Sequence, residues 1–348
     1  MLNLPDKRLQ ELLTPLQLGP YQLSNRLVMG SQSRMRAIDY CPQPIMETYY
    51  AQRSSAGLII SEPTLINRPV IDLPSCPGLF MQSQVEAWRR VTQAVHQRGG
   101  RIFVQLWHEA NLDYLYEDNS GLADVYPPDV RPADNILQRM EVIQQFRRAA
   151  QYAIAAEFDG VEIHGALRSL TRSLAFSPPS SDCFRAEGIP SADADLLSEI
   201  VEGVSAIWDC DRVGVFLSPR PAFSEYQDPY PEGAFYTIAD TLNQQQIAYL
   251  HLAEALPDQS FFEDPTTSIV EAFRPIFRGA MIVDGQDDLQ CGLQQLIAGK
   301  ADLISLCQYF VANPDLINRI VSGRPTNAVD KTTLYKEGER GYIDYPDC

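Results

Sequence analysis

The feature that most restricts how this chain can fold is an alternation. Short apolar segments and amphipathic helical stretches follow one another eight times across its 348 residues. The apolar segments lie at 26–30, 58–61, 101–106, 161–163, 213–217, 249–252, 280–283 and 302–306. Between them run helix-like stretches at 49–56, 140–157, 196–207 and 290–298, and one with Ser83 as its N-cap. That last helix carries an inward stripe of Val85, Trp88, Val91, Thr92 and Val95. In the 140–157 helix the stripe is Ile143, Phe146, Ala150, Ala153 and Ile154. Glycines at 57, 99, 100, 160 and 299 stop the helices just before the next apolar run. Strands separated by helical crossovers make a parallel sheet. Eight units in this length predict an α/β fold, a (β/α)8 TIM barrel, as one domain over 1–348. An open doubly wound sheet is the alternative. Residues 1–22 read as a lead-in with a short hairpin closing the barrel bottom, and 325–348 as a tail packing at the mouth. The loop-rich stretch 109–138, with Pro127, Pro128 and Pro132, is too long for a plain connection and predicts a lid or substrate wall after strand three.

Composition narrows the function. A net charge of −17 argues against nucleic acid and anionic membranes as partners. No apolar run reaches the roughly 18 residues of a membrane span, and the first residues lack the apolar core of a secretion signal. Seven scattered cysteines without a Cys-x-x-Cys pair suggest reduced thiols and a cytoplasmic setting. The four histidines, His96, His108, His164 and His251, show no metal-ligand spacing, so no zinc is expected. No Gly-x-Gly-x-x-Gly or Gly-x-x-x-x-Gly-Lys-Ser/Thr motif marks a nucleotide loop. What remains is a small-molecule substrate, with the oligomeric state open.

His164 ends strand four, and the C-terminal ends of barrel strands are where such folds place their chemistry. Around it runs a series of ordered motifs. They are Leu13-Thr14-Pro15-Leu16, Asn25-Arg26-Leu27-Val28-Met29, Tyr49-Tyr50-Ala51-Gln52-Arg53, Gln105-Leu106-Trp107-His108, Gly160-Val161-Glu162-Ile163-His164-Gly165, Ala312-Asn313-Pro314-Asp315-Leu316 and Gly341-Tyr342-Ile343-Asp344-Tyr345-Pro346. Together and in this order, they make the chain resemble the old yellow enzyme family of FMN-dependent ene-reductases. The resemblance implies a TIM barrel with FMN at the C-terminal mouth. It places Ser33 where a small hydroxyl or thiol residue tunes the flavin. Gln105 falls on the glutamine that binds the flavin ring, and His164 on the first of a pair that holds the substrate carbonyl. Tyr335 matches an aromatic near the substrate.

Other matched positions differ from the family pattern. The second member of the carbonyl-binding pair is Leu167, and the proton-donating tyrosine is Ser169. Phe216 stands for an arginine facing the flavin, and Cys307-Gln308 for a Gly-Arg pair that grips the phosphate. Pro63, which has no N–H, replaces a small residue whose N–H faces the flavin. The turn after strand seven reads Asp284-Gly285-Gln286-Asp287-Asp288. A phosphate carrying about two negative charges would meet fewer cations there. The expectation is therefore a barrel with no cofactor, its FMN positions Ser33, Gln105, Gly285, Gln286 and Gln308 vestigial. His164, Gln105 and Tyr335 would then act on an unsaturated carbonyl compound without redox change, by isomerisation, elimination or cyclisation, in a pocket walled by Trp107, Leu167, Ser169 and Phe216. The alternatives are an FMN-dependent NAD(P)H ene-reductase with altered contacts, and a non-catalytic ligand-binding or partner protein.

Overall fold

The computed structural model describes residues 6–69, 72–108, 136–165, 191–217, 232–253, 268–285 and 289–348. Eight parallel strands close into a barrel: β1 Leu27–Met29, β2 Leu58–Ile60, β3 Ile102–Trp107, β4 Gly160–His164, β5 Val213–Leu217, β6 Tyr249–Ala253, β7 Ala280–Asp284 and β8 Leu303–Ser305. Each pairs with its neighbours in chain order, and β8 pairs back onto β1. The closed (β/α)8 arrangement replaces the open-sheet alternative. It also leaves no unpaired barrel edge.

Alternation along each strand sorts side chains into two populations. In β4, Val161 and Ile163 join the apolar layer between barrel and helices, together with Val104, Val215 and Leu250. The intervening residues face the barrel axis. Low in the barrel these are apolar: Val28, Leu58, Ile60, Phe103 and Tyr249 form one cluster with Leu18 and Leu23. Leu18 and Leu23 belong to the hairpin Leu16–Leu18 and Tyr21–Leu23, which plugs the bottom. Its turn demands Gly19, at φ +51°, because a Cβ there would lie 1.9 Å from the Asp211 carbonyl oxygen. Higher up, the same inward positions turn polar, as Gln105, Glu162, His251 and Ser305.

The helices follow the sequence pattern with shifted ends. Gln82–His96 buries Val85, Trp88, Val91, Thr92 and Val95. It starts before Ser83, because the Gln84 side chain folds back and accepts from the N–H of Phe80 at 2.7 Å and of Met81 at 3.0 Å. Pro44–Gln52 begins earlier than the apolar pattern suggests, with proline in its first turn, where no N–H is needed. Ile136–Ala155 buries Phe146, Ala150 and Ala153, but Ile154 is exposed. No described helix is long and apolar enough to cross a membrane. The lid expected at 109–138 lies almost wholly outside the described residues, with only its end entering Ile136–Ala155.

Around the mouth, three buried arginines tie the N-terminal half to residues 333–342. Arg34 donates to the carbonyls of Leu334 and Gly341 and to the Tyr49 hydroxyl. Arg36 reaches the carbonyls of Leu334 and Thr333. Arg53 spends its guanidinium on the carbonyls of Tyr49, Phe310, Val311 and Tyr342. Tyr49 and Tyr342 stack at 4.0 Å between them, and the Arg53 guanidinium lies 3.9 Å from the Tyr49 ring. Each guanidinium meets carbonyls that offset the cost of burying it, with only Arg36 Nε of the three left without a partner among the described residues.

Candidate active site

The inward polar residues of β3, β4 and β6 meet in one hydrogen-bonded chain. Gln105 and Glu162 are register partners on adjacent strands. The Gln105 amide donates from Nε2 to Glu162 Oε1 at 2.7 Å. Its Oε1 accepts from the Ser31 hydroxyl at 3.0 Å. His251 Nδ1 lies 2.9 Å from Glu162 Oε2. A carboxylate only accepts, so it fixes which end of the amide faces it. Gln105 therefore turns its carbonyl toward Ser31. One lone pair and one N–H of the amide stay uncommitted. Glu162 reaches both neighbours because its partner on β5 is Gly214. A Cβ at 214 would lie 2.1 Å from the Tyr249 ring, which fills that space. Burial, with the Glu162 carboxylate beside it, pushes the Tyr249 phenol well above its ordinary pKa.

Above this chain sits an aromatic wall. The Phe216 ring lies 5.3 Å from His164 and 4.9 Å, edge-on, from His251. Trp107 stands 6.4 Å from His164 on the other side. Burial lowers the His164 pKa to about 4, only partly offset by Glu162, so the ring is neutral at pH 7. A neutral imidazole donates one hydrogen bond without adding charge.

The structure thus brings Gln105, Trp107, His164 and Phe216 together. Ser33 lies half-buried in the segment after β1. Gly285 is buried directly after β7, its N–H donating to the Ser305 carbonyl at 3.2 Å. Gln308 is in the first turn of the helix Cys307–Ala312. Tyr335 is 56% exposed and joins none of the contacts among these groups. Leu167, Ser169, Gln286, Asp287 and Asp288 lie outside the described residues. Sequence reasoning missed Ser31, Glu162 and His251. The signal for two of them was present: Glu162 is two residues from His164, on the same face of its strand, and His251 alternates inward in the same way.

The comparisons with known proteins agree from end to end. The family model described as "NADH:flavin oxidoreductase / NADH oxidase family" matches residues 11–327. The chain belongs to that family, the old yellow enzymes. A putative 12-oxophytodienoate reductase 2 of Oryza sativa subsp. japonica is 32% identical over 99% of this chain and 96% of its own length. The flavin oxidoreductase hxnT of Emericella nidulans is 31% identical over 97% of this chain and 98% of its own. Among solved structures, morphinone reductase superposes with a TM-score of 0.82 at 30% identity, covering 97% of this chain and 96% of its own. The old yellow enzyme homologue of Zymomonas mobilis gives 0.81 at 30%, covering 96% and 99%.

This old yellow enzyme family is one of FMN-dependent flavin oxidoreductases, so the expectation of no cofactor is corrected. Charge counting misled here. It weighed substitutions at both ends, Phe216 and Pro63 at the ring and Asp287 and Asp288 at the phosphate, of which Asp287 and Asp288 lie outside the described residues, above the Gln105 amide at the ring end. At the ring end the residues present fit a flavin. Gln105 keeps one N–H and one lone pair uncommitted, the donor and acceptor that a ring edge alternating N–H and C=O calls for. Two further buried polar atoms, His251 Nε2 and Ser305 Oγ, have no hydrogen-bond partner among the described residues.

Proposed function

We propose that the protein is an FMN-dependent reductase that uses NAD(P)H to reduce the C=C bond of small unsaturated carbonyl compounds. The observation that carries this reading is the Gln105 amide, locked by Glu162 and Ser31 at the mouth of a family barrel. FMN, when bound, supplies the hydride chemistry. Gln105 and Ser33 would hold its ring, while Gly285, Gln286 and Gln308 occupy the places matched to its phosphate end. His164, neutral and beside the wall of Phe216 and Trp107, donates a hydrogen bond to the substrate carbonyl and so favours charge developing on that oxygen. Phe216 and Trp107 exclude water from the reacting face. The relatives, reductases named for 12-oxophytodienoate and morphinone, support reduction over the redox-neutral and non-catalytic readings. The scattered thiols support a cytoplasmic setting.

The absorbance spectrum of the protein purified with added FMN tests the reading. Bound-flavin bands, and NADPH oxidation that depends on cyclohex-2-enone, are the expected result. Colourless protein with no enone-dependent oxidation refutes it. His164→Ala should lower kcat/KM for the enone by about a hundredfold, the usual scale for losing one donor to a developing oxyanion.

A further inference from the structure

We infer that Glu162 is the positioning residue of this site, and that through it the outer nitrogen of His251 becomes a further polar contact for the bound group. Glu162 is fully buried and holds two side chains from opposite sides. One oxygen fixes the Gln105 amide, so its carbonyl faces Ser31 and the mouth. The other takes His251 Nδ1, which leaves Nε2 on the far edge of the imidazole. That nitrogen belongs to a residue 2% exposed and has no partner among the described residues. A buried polar atom left unpaired is costly, and this one shares its carboxylate with the Gln105 amide, so a group bound against Gln105 is placed to fill it. The Phe216 ring, edge-on at 4.9 Å, links His251 to the wall that also carries His164. The pattern is that of a carboxylate orienting a histidine whose second nitrogen does the work. Glu162 itself does not touch the ligand. It sets the order of donor and acceptor that the ligand meets.

This inference rests on the flavin reading for the identity of the ligand, but not for the role of Glu162. The test uses the full chain as wild type, Glu162→Gln and His251→Gln, with side-chain amides and imidazoles labelled with 15N. Without flavin, one Gln105 amide proton should resonate downfield of those of ordinary glutamines, assigned by its loss in Gln105→Met. It should return to the ordinary range in Glu162→Gln. On adding FMN to the wild type, the His251 Nε2 resonance should move. Titrations followed by flavin fluorescence should show Glu162→Gln binding FMN about tenfold to a hundredfold more weakly, the scale of one hydrogen bond to a charged group. Riboflavin, which has no phosphate, should lose the same factor. That places the defect at the ring end. An unshifted Gln105 resonance in Glu162→Gln, or FMN affinity within twofold of wild type, overturns the positioning role. A His251 resonance that ignores FMN overturns the contact. Should Glu162→Gln not fold, the wild-type Gln105 and His251 resonances and the affinity of His251→Gln decide. Wild-type protein that binds neither flavin refutes the functional reading alone, and the Gln105 resonance then still judges Glu162.

Discussion

Two buried polar networks flank the mouth, one around Glu62 and one around Glu162, and they are anchored differently, the first on backbone carbonyls and the second on side chains. Around Glu62, Arg34 and Arg53 spend their donors on backbone carbonyls and on the stacked tyrosines, and the atoms left without a partner among the described residues, Arg36 Nε and the Tyr342 hydroxyl, sit at its margin. The Glu62 carboxylate itself accepts from the N–H groups of Arg34 and Met35. Around Glu162 the chain stops short: the Gln105 amide keeps an open edge, and His251 Nε2 and Ser305 Oγ are unpaired among the described residues. A network tied to backbone carbonyls from distant segments holds a fold together, and the side-chain network at the strand ends is where a ligand can complete the bonding. The two can be told apart by breaking each.

The largest expected effect is at the backbone-anchored network. Arg53→Met leaves four backbone carbonyls without their donor and should cost about 3–5 kcal/mol of unfolding free energy, measured by urea denaturation. A loss under about 1 kcal/mol would mean that water replaces the guanidinium and that the contrast drawn here is false. At the open network, Gly214→Ala drives a Cβ into the Tyr249 ring and should cost about 1–3 kcal/mol. It should also weaken flavin binding, because Tyr249 and Glu162 must shift together. Destabilisation with unchanged flavin affinity would separate the lower barrel from the site.

Acid should act next. His108 and His164 both have pKa values lowered to about 4 by burial, against 6.5 in an unfolded chain. Between those values the unfolded state takes up protons that the folded state refuses. Stability is therefore complete above pH 6.5 and falls as pH drops toward 4, by up to about 1.4 kcal/mol per pH unit for each histidine. His108→Asn should halve that slope between pH 6 and 4.5, since His108 packs against the helix Ile136–Ala155, with Gln145 as its partner and Phe146 stacked beside it. An unchanged slope would assign the acid lability elsewhere. The smallest effect should come from Tyr335→Ala, which changes an exposed side chain. Its stability should stay within about 0.5 kcal/mol of wild type. A rise in KM for the enone with FMN affinity unchanged would nonetheless place Tyr335 against the substrate.

How much of this was legible in the sequence depended on how local the cause was. Buried strands such as 213–217 announce themselves, because both faces are covered and the run is apolar throughout. The start of Gln82–His96 was harder to read, because a glutamine side chain at Gln84 does a capping job that the pattern assigned to Ser83. Glu162 looked like one polar residue in an apolar strand. Its meaning appears only when β3 and β6 bring Gln105 and His251 to either side, 57 and 89 residues away along the chain. The cofactor was misjudged for the same reason. Substituted charges are visible residue by residue, whereas a ring-binding edge exists only after three strands are aligned.

The arginine clamp has a consequence for how the molecule is made. Arg34 meets Gly341 across 307 residues of chain, and Arg53 meets Tyr342 across 289. At about 5–20 residues per second, synthesis separates those partners by on the order of 15–60 s. Throughout that interval Arg34 and Arg36 lack the carbonyls of Thr333, Leu334 and Gly341 that accept them, whereas Arg53 has the Tyr49 carbonyl from the start and gains Phe310 and Val311 before Tyr342. The N-terminal strands can pair early, but this side of the mouth sets last, and loop closure over such distances is slow. A nascent chain stalled before residue 333 would present Arg34, Arg36 and the unstacked face of Tyr49 to solvent, and would be held open for chaperones or proteases until residues 333–342 arrive.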